Sequence, residues 1–143
     1  MVYDLVSSIS LGSFLFSTGP ARAAPVEDAA AVWAQWEQVY NSGDVDEIVA
    51  LYTEDSLLFG STAQLFAGSE GARTYFNKLP AGTRVKMGDQ HTIAVGRNVL
   101  LTSGFVDFTL KDGTLLSYRL TFAMMKTDGQ WLIAQHHGSP VPK

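Results

Sequence analysis

The chemistry that this sequence could perform centres on two adjacent histidines near its C-terminus, His136 and His137. Successive side chains of a β-strand point to opposite faces, so these two imidazoles diverge and form a poor chelate for a metal ion. His91 is the only other histidine, and no carboxylate stands at a recognisable metal spacing, so we expect no metal site. One histidine of the pair is instead expected to line a pocket as a hydrogen-bond donor or proton carrier. We favour His137, because in a regular strand its side chain points to the same face as those of Trp131 and Ile133. His136 remains the alternative.

Arg119 is the second candidate, a cation in mid-strand between Tyr118 and Leu120. With a three-residue loop at 111–113, polar residues of two paired strands collect on one face, and Asp107 lies diagonal to Arg119. A two-residue turn would instead place Asp107 opposite Tyr118, and we prefer the first register because it separates polar from apolar residues better. Arg119 then grips a ligand carboxylate at the floor of a pocket. The alternative is a structural pair with Asp107, across the sheet or at a subunit interface.

Aromatic side chains supply the remaining candidates for ligand binding. Trp36, Tyr52 and Tyr75 could line a pocket, although packing in the core is the ordinary use of such residues. The two tyrosine hydroxyls need hydrogen-bond partners if they are buried. The small, glycine-containing stretch 61–71 could border the pocket mouth and has no phosphate-loop pattern.

The composition limits the classes of protein to consider. A length of 143 residues indicates one domain, and 46% apolar residues supply its core. The ten Lys and Arg residues are scattered and the formal net charge is −4, so we expect no nucleic-acid partner. The absence of cysteine excludes disulfides, thiolate nucleophiles and metal–thiolate centres in this chain. We expect no cofactor.

The N-terminal segment, residues 1–24, differs from the rest. An apolar stretch at 5–17 precedes a small-x-small site, which predicts a secretory signal peptide cleaved near Ala23 or Ala24. The domain at 25–143 would then be secreted or periplasmic. The alternative is a retained apolar helix and a cytoplasmic protein. The stretch is too short to span a membrane, and we expect no membrane association after its removal.

Hydrophobic periodicity and turn residues predict the elements that position these candidates. The predicted helices cover 25–40, 44–55 and 69–79, with a short strand at 56–60. Asp44 and Glu47 form a capping-box pattern for the second helix, and Ser69 is expected to cap the third.

After Thr83, runs of β-branched and aromatic residues are separated by the turn sequences 96–98, 112–113 and 128–129. Three helices followed by an antiparallel meander indicate an α+β domain. We expect a cone-shaped, curved antiparallel sheet of about four to six strands, wrapped around the N-terminal helices with a pocket between the two layers.

Two segments carry a resemblance to a known family. Residues 40–76 resemble the N-terminal half of the SnoaL-like, or nuclear-transport-factor-2-like, superfamily. Residues 118–142 resemble bacterial relatives of the calcium/calmodulin-dependent kinase II association domain, a group that includes SgcJ/EcaC proteins. The typical pattern there is Arg-aromatic-Thr-Phe, an Asp-Gly turn, a Trp and His-His-Ser-Ser-x-Met-Pro. The matching residues are Arg119, Thr121, Phe122, Asp128, Gly129, Trp131, His136, His137, Ser139 and Pro142. Leu120, Gly138 and Val141 depart from it.

The resemblance covers roughly residues 28–142 and implies a cystatin-like or SnoaL-like roll. It also implies dimers or rings formed through the sheet. In the kinase association branch it implies a polar, arginine-containing pocket for small carboxylates.

The resemblance alone does not define a reaction. Ketosteroid isomerases share the fold and need a carboxylate base and a tyrosine, but the corresponding positions fall near Gly60 and Trp36. We therefore expect an exported homo-oligomer that binds a small anionic or polar molecule, such as a carboxylate, beside Arg119 without catalysis. One alternative is a SnoaL-like cyclase or isomerase-type enzyme with His137 as general acid/base and Arg119 as anion holder. Another is a pure oligomerisation module.

Overall fold

The structure is a computed structural model that describes residues 23–143. Residues 1–22, which hold most of the predicted signal peptide, lie outside the described part of the chain. The helices are α1 (Ala23–Ser42), α2 (Val45–Val49) and α3 (Gly68–Asn77). The strands are β1 (Tyr52–Phe59), β2 (Leu65–Ala67), β3 (Arg84–Val95), β4 (Val99–Thr109), β5 (Leu115–Thr127) and β6 (Gln130–Pro140). In the described range, no helix combines the length and the apolar character needed to cross a membrane.

The six strands form one curved, unclosed sheet in the order β2-β1-β6-β5-β4-β3. The α+β class, the four long C-terminal strands and the helical layer are confirmed. One detail of the expectation was wrong, because the sheet is mixed: β1 pairs with β6 in parallel, while the other pairs are antiparallel.

The first half of the chain departs from the helical expectation at two places. The second helix ends at Val49, and Tyr52 already begins β1, opposite Ile133 of β6. The apolar spacing of Ile48, Leu51 and Tyr52 suits a helix locally, but the backbone of β6 needs a partner along this edge, and that pairing overrides local propensity. The capping role of Asp44 is confirmed, since its carboxylate accepts hydrogen bonds from two backbone N–H groups of α2.

The stretch before α3 also differs. It contains the short strand β2, and α3 begins after Ala67 without a side-chain cap, so the predicted capping role of Ser69 was wrong.

Helix α1 is fastened to the sheet by hydrogen bonds to strand atoms. Asn41 bonds both the N–H and the C=O of Val85, at 2.7 and 2.9 Å. The Glu37 carboxylate accepts a 2.7 Å bond from the N–H of Met87, and Trp33 Nε1 donates to Thr102 at 3.0 Å. Each bond satisfies a polar group that the helix would otherwise cover, so α1 sits in one defined position over the sheet.

The register of β4 and β5 separates the two faces of the sheet. Gly104 lies opposite Leu120 and Phe108 opposite Leu116, and Leu110 bonds to Thr114 around the loop, so the three-residue turn is confirmed. The inner face, under the helices, carries Val106, Leu120, Phe122 and Met124, all buried. The outer face carries exposed residues, among them Leu101, Phe105, Asp107, Ser117, Arg119, Thr121 and Met125.

Candidate functional site

A pocket of about 200 Å³ opens between the inner face of the sheet and helices α1 and α3. Its walls are mainly aromatic and aliphatic and include Trp36, Tyr40, Tyr75, Phe76, Phe108 and Leu120. No Asp, Glu, Lys or Arg side chain of residues 23–143 lines it. Uncharged apolar walls with few polar groups are typical of sites for small organic molecules.

A chain of three buried side chains ends at this pocket. Trp36 Nε1 lies 2.9 Å from the hydroxyl oxygen of Tyr52, and that oxygen lies 2.8 Å from Nδ1 of His136. An indole N–H can only donate, so the Tyr52 oxygen accepts from Trp36 and has one proton left to give. Among the described residues, Nδ1 of His136 is the acceptor within reach of that proton, an arrangement that favours the neutral imidazole with its own proton on Nε2.

The surroundings keep both titratable members of this chain uncharged. Burial, with a smaller contribution from the charge of His137, lowers the pKa of His136 from 6.5 to about 3. Burial raises the pKa of the Tyr52 hydroxyl above its usual value, so Tyr52 remains a phenol. The group can donate and accept hydrogen bonds at neutral pH, but it offers no charge to a ligand.

Aromatic rings also fix the orientation of the His136 imidazole. Its ring centre lies 5.0 Å from that of Phe122, edge to face, and 6.0 Å from that of Trp36. The Tyr52 ring is nearly parallel to it, with an angle of 12° between the planes and the ring centres 6.1 Å apart. The imidazole is enclosed on several sides and cannot turn without displacing the core.

His136, rather than the favoured His137, faces the pocket, and a β-bulge is the reason. Met124 pairs with Ile133, whereas Ala123 pairs with Gln135, so Ala134 is an extra residue in β6. The bulge reverses the alternation of side chains, and His136 shares the inner face with Ile133. His137 lies exposed on the outer face, with its ring 6.0 Å from that of Phe59.

Arg119 and Asp107 also lie on the outer face, not at the floor of the pocket. Arg119 Nη2 donates to Ser139 Oγ at 3.2 Å, and Asp107 accepts from the Ser117 hydroxyl. Within residues 23–143 the two are not paired with one another, since the ion pairs there involve Arg73 and Lys86. The expected polar face was identified correctly, but it is the opposite face that the helices cover to form the pocket. A role for Arg119 at a subunit interface remains a prediction.

The three aromatic candidates come together at the inner face. Trp36 and Tyr75 line the pocket, and Tyr52 lies behind it, between Trp36 and His136. The Tyr75 hydroxyl accepts a 3.2 Å bond from the N–H of Ser61, and its ring lies against Gly60, where any Cβ would collide with it. The tyrosine ring thus occupies the space into which a carboxylate at position 60 would project.

Sequence reasoning missed several walls of the pocket. Phe108, Tyr118 and Tyr40 line it, but the sequence showed the first two only as members of the apolar sheet face, and Tyr40 only as part of the apolar stripe of the first helix. That face was itself the signal, because a face covered by helices is where an enclosed pocket can form. Burial raises the pKa of Tyr40, so this wall is also uncharged at neutral pH.

The family model described as a SnoaL-like domain matches residues 29–143. The chain belongs to the SnoaL-like domain family. Comparison with the curated proteins found no match. In the part of this SnoaL-like domain that the structure describes, no three side chains of the metal-binding types lie close enough together to hold an ion.

Several solved structures are similar to this SnoaL-like domain. A Xanthomonas campestris protein named as a calcium/calmodulin-dependent protein kinase II association domain is 25% identical, with a TM-score of 0.73 over 96% of this chain and 99% of that one. A Nostoc punctiforme protein of unknown function with a cystatin-like fold is 16% identical, with a TM-score of 0.74 over 85% and 94%. A ketosteroid isomerase-like protein from Erwinia carotovora atroseptica is 17% identical, with a TM-score of 0.69 over 87% and 100%. The SnoaL-like, or nuclear-transport-factor-2-like, superfamily is confirmed, and the fold fits a small-molecule-binding or isomerase-like function.

Proposed function

We propose that this SnoaL-like domain binds a small, largely apolar and uncharged molecule in the pocket between the sheet and helices α1 and α3. The observation that carries the proposal is the lining itself, which is aromatic and aliphatic and includes no charged side chain of the described residues. A carboxylate moved into such a site would lose its hydration without gaining a cation. The anionic ligand that the sequence suggested is therefore replaced by a neutral one.

Binding is favoured over proton-transfer catalysis for a second reason. The isomerase mechanism needs a base near the substrate carbon, and a carboxylate is the usual one. Among the described residues, the pocket presents tyrosine hydroxyls and the neutral His136, whose low pKa makes it a weak base. The ketosteroid isomerase-like neighbour shares the fold with this chain, but the described residues that line this pocket include no carboxylate to act as the base.

A pair of neighbouring leucines tests the location of binding. Leu116 lines the pocket and Leu115 lies on the outer face, and both are partly exposed, at 38% and 60%, so either can become glutamate without loss of the fold. We expect 2-acetylnaphthalene to bind the native protein, and Leu116→Glu to weaken its binding at least about tenfold by placing a charge beside the ligand. Leu115→Glu should leave the dissociation constant within about twofold of the native value. Titration calorimetry measures all three, and equal affinities, or no binding at all, would disprove the proposal.

We also propose that the chain self-associates through the outer face of the sheet. Leu101, Phe105 and Met125 expose 42%, 56% and 47% of their surface there, and Phe105 lies opposite Arg119 and two residues before Asp107 in β4. Neighbouring exposed apolar side chains mixed with charges of both signs suit contact with a second copy. Phe105→Asp should lower the sedimentation mass, and Val26→Asp, at the 52% exposed Val26 in α1, is the control that should not. A native protein that sediments as a monomer would contradict this proposal.

A further inference from the structure

Every proton of the hydrogen-bond chain at the back of the pocket finds an acceptor in only one direction. Trp36 can donate but not accept, so the Tyr52 hydroxyl accepts from it and donates its own proton to Nδ1 of His136. If Nδ1–H donated instead, the Tyr52 oxygen would accept two bonds and its proton would have no acceptor among the described residues. The direction of the first bond thus determines the tautomer of the histidine two side chains away.

The proton that this tautomer places on Nε2 is directed toward the pocket. His136 and Gly138 both line the pocket, and a Cβ built on Gly138 would lie 3.6 Å from Nε2. Within the described chain the imidazole makes its one side-chain hydrogen bond through Nδ1, so Nε2–H has no protein acceptor. His136 is 3% exposed, so a bond from Nε2–H to a ligand would form with little competition from water.

We propose that His136 Nε2–H is a fixed hydrogen-bond donor that selects ligands carrying an uncharged acceptor oxygen, such as the carbonyl of a ketone, aldehyde or quinone. The inference rests on the proposed function, since it names the chemistry of the molecule that the same pocket takes. A ketone oxygen needs one donor and brings no proton that must itself find an acceptor, which matches what the site offers. His136 is the specificity-determining residue, and Tyr52 and Trp36 are positioning residues.

The same arrangement discriminates against two other classes of ligand. A pure hydrocarbon fills the apolar walls but leaves Nε2–H unsatisfied. A carboxylate satisfies the donor but meets a neutral imidazole, because the pKa of His136 is held near 3 by burial. Its charge would then be buried among aromatic rings without a cation. Neutral acceptors should therefore bind best.

Three probes of nearly equal shape separate these possibilities: 2-acetylnaphthalene, 2-isopropenylnaphthalene and 2-naphthoate. They share the naphthalene ring and differ in a ketone, an alkene and a carboxylate. We expect the ketone to bind about tenfold more tightly than the alkene, and the carboxylate to bind more weakly than both. Equal binding of ketone and alkene would overturn the inference and leave the proposed function standing. The absence of binding by all three would overturn the proposed function itself.

The adjacent histidines provide a matched pair of variants. His136→Phe keeps an aromatic ring in place but removes the donor, so the tenfold preference for the ketone should disappear while the alkene still binds. His137→Phe changes the outer face and should retain the full preference. A preference that survives in His136→Phe, or is lost in His137→Phe, would contradict the assignment.

A spectroscopic measurement keeps the inference testable if His136→Phe does not fold. Nitrogen-15 chemical shifts of the His136 ring distinguish the two neutral tautomers in the native protein. We expect the Nε2–H form at neutral pH, and a downfield shift of the Nε2 proton on addition of 2-acetylnaphthalene but not of 2-isopropenylnaphthalene. An Nδ1–H tautomer, or equal shifts with both probes, would disprove the role of His136.

Discussion

The two faces of strands β5 and β6 place the same residue type in opposite surroundings. His136 lies opposite Phe122 on the inner face, and its neighbour His137 lies opposite Thr121 on the outer face. His136 is enclosed by aromatic rings and bonded to Tyr52, whereas His137 is exposed beside Phe59. The comparison shows that enclosure sets the surroundings of each ring: one imidazole is buried and held in a fixed orientation, and the other lies exposed at the surface.

Removing a large side chain from each face should give the widest contrast. Phe122→Ala empties a fully buried position and should lower the free energy of unfolding by about 3–5 kcal/mol. Phe105→Ala, at the 56% exposed outer position, should change it by about 0.5 kcal/mol or less when the protein is dilute enough to sediment as a monomer. Urea unfolding at one fixed protein concentration measures both. Similar losses would mean that the outer face is as tightly packed as the inner one.

Acid should destabilise the protein through the inner histidine. The folded-state pKa of His136, about 3, lies below its ordinary value of 6.5, so the unfolded chain binds a proton between these values and the folded chain does not. Stability due to this group is complete above about pH 6.5 and falls by up to about 1.4 kcal/mol per pH unit as the pH decreases toward 3. His136→Phe should reduce this slope in urea unfolding across the range, and His137→Phe should not. An unchanged slope in His136→Phe would contradict the neutral, buried state of the ring.

Breaking the hydrogen-bond chain should have an intermediate effect. Tyr52→Phe leaves Trp36 Nε1–H without an acceptor and His136 Nδ1 without a donor, which should cost about 1–3 kcal/mol of stability. Tyr75→Phe removes a hydroxyl with a single 3.2 Å bond to the backbone of Ser61, and should cost less than about 1 kcal/mol. Thermal unfolding of the two variants compares them directly. A larger loss in Tyr75→Phe would argue against the importance of the chain.

The smallest effect is expected at Arg119. Its exposed side chain bonds to Ser139 on the outer face, so Arg119→Ala should change the free energy of unfolding by about 0.5 kcal/mol or less. The affinity for 2-acetylnaphthalene, measured by calorimetry, should also stay within about twofold of the native value. If instead the variant abolished binding of 2-naphthoate, the ligand site expected from the sequence would lie on the outer face.

The sequence predicted the fold well where local signals decide it. The three-residue loop at 111–113 determines the register of β4 and β5, and it was preferred to a two-residue turn because it separates polar from apolar residues better. The N-terminus of α2 followed from Asp44 for the same reason. Both features depend on residues close together in the chain, which is where turn and capping chemistry is readable.

The site was less predictable because it depends on distant pairings. Tyr52 has a helical spacing with its neighbours, and only the parallel pairing with β6 makes it part of a strand. The face of His136 depends on the unpaired Ala134, and an alanine gives no sign that a bulge occurs there. The choice of Arg119 followed from assuming that polar residues mark the pocket, whereas the helices cover the apolar face.

The extra residue Ala134 shifts the in-and-out alternation of the β6 side chains by one position. Upstream of it the odd-numbered Ile133 is buried, and downstream the even-numbered His136 and Gly138 take that place. A strand that kept Ala134 but had no bulge would hold either Ile133 or His136 inside, but not both, whereas deletion of Ala134 would remove the bulge and leave both inside. The bulge therefore decides which of two identical imidazoles faces the pocket, although Ala134 itself is not among the residues that line it.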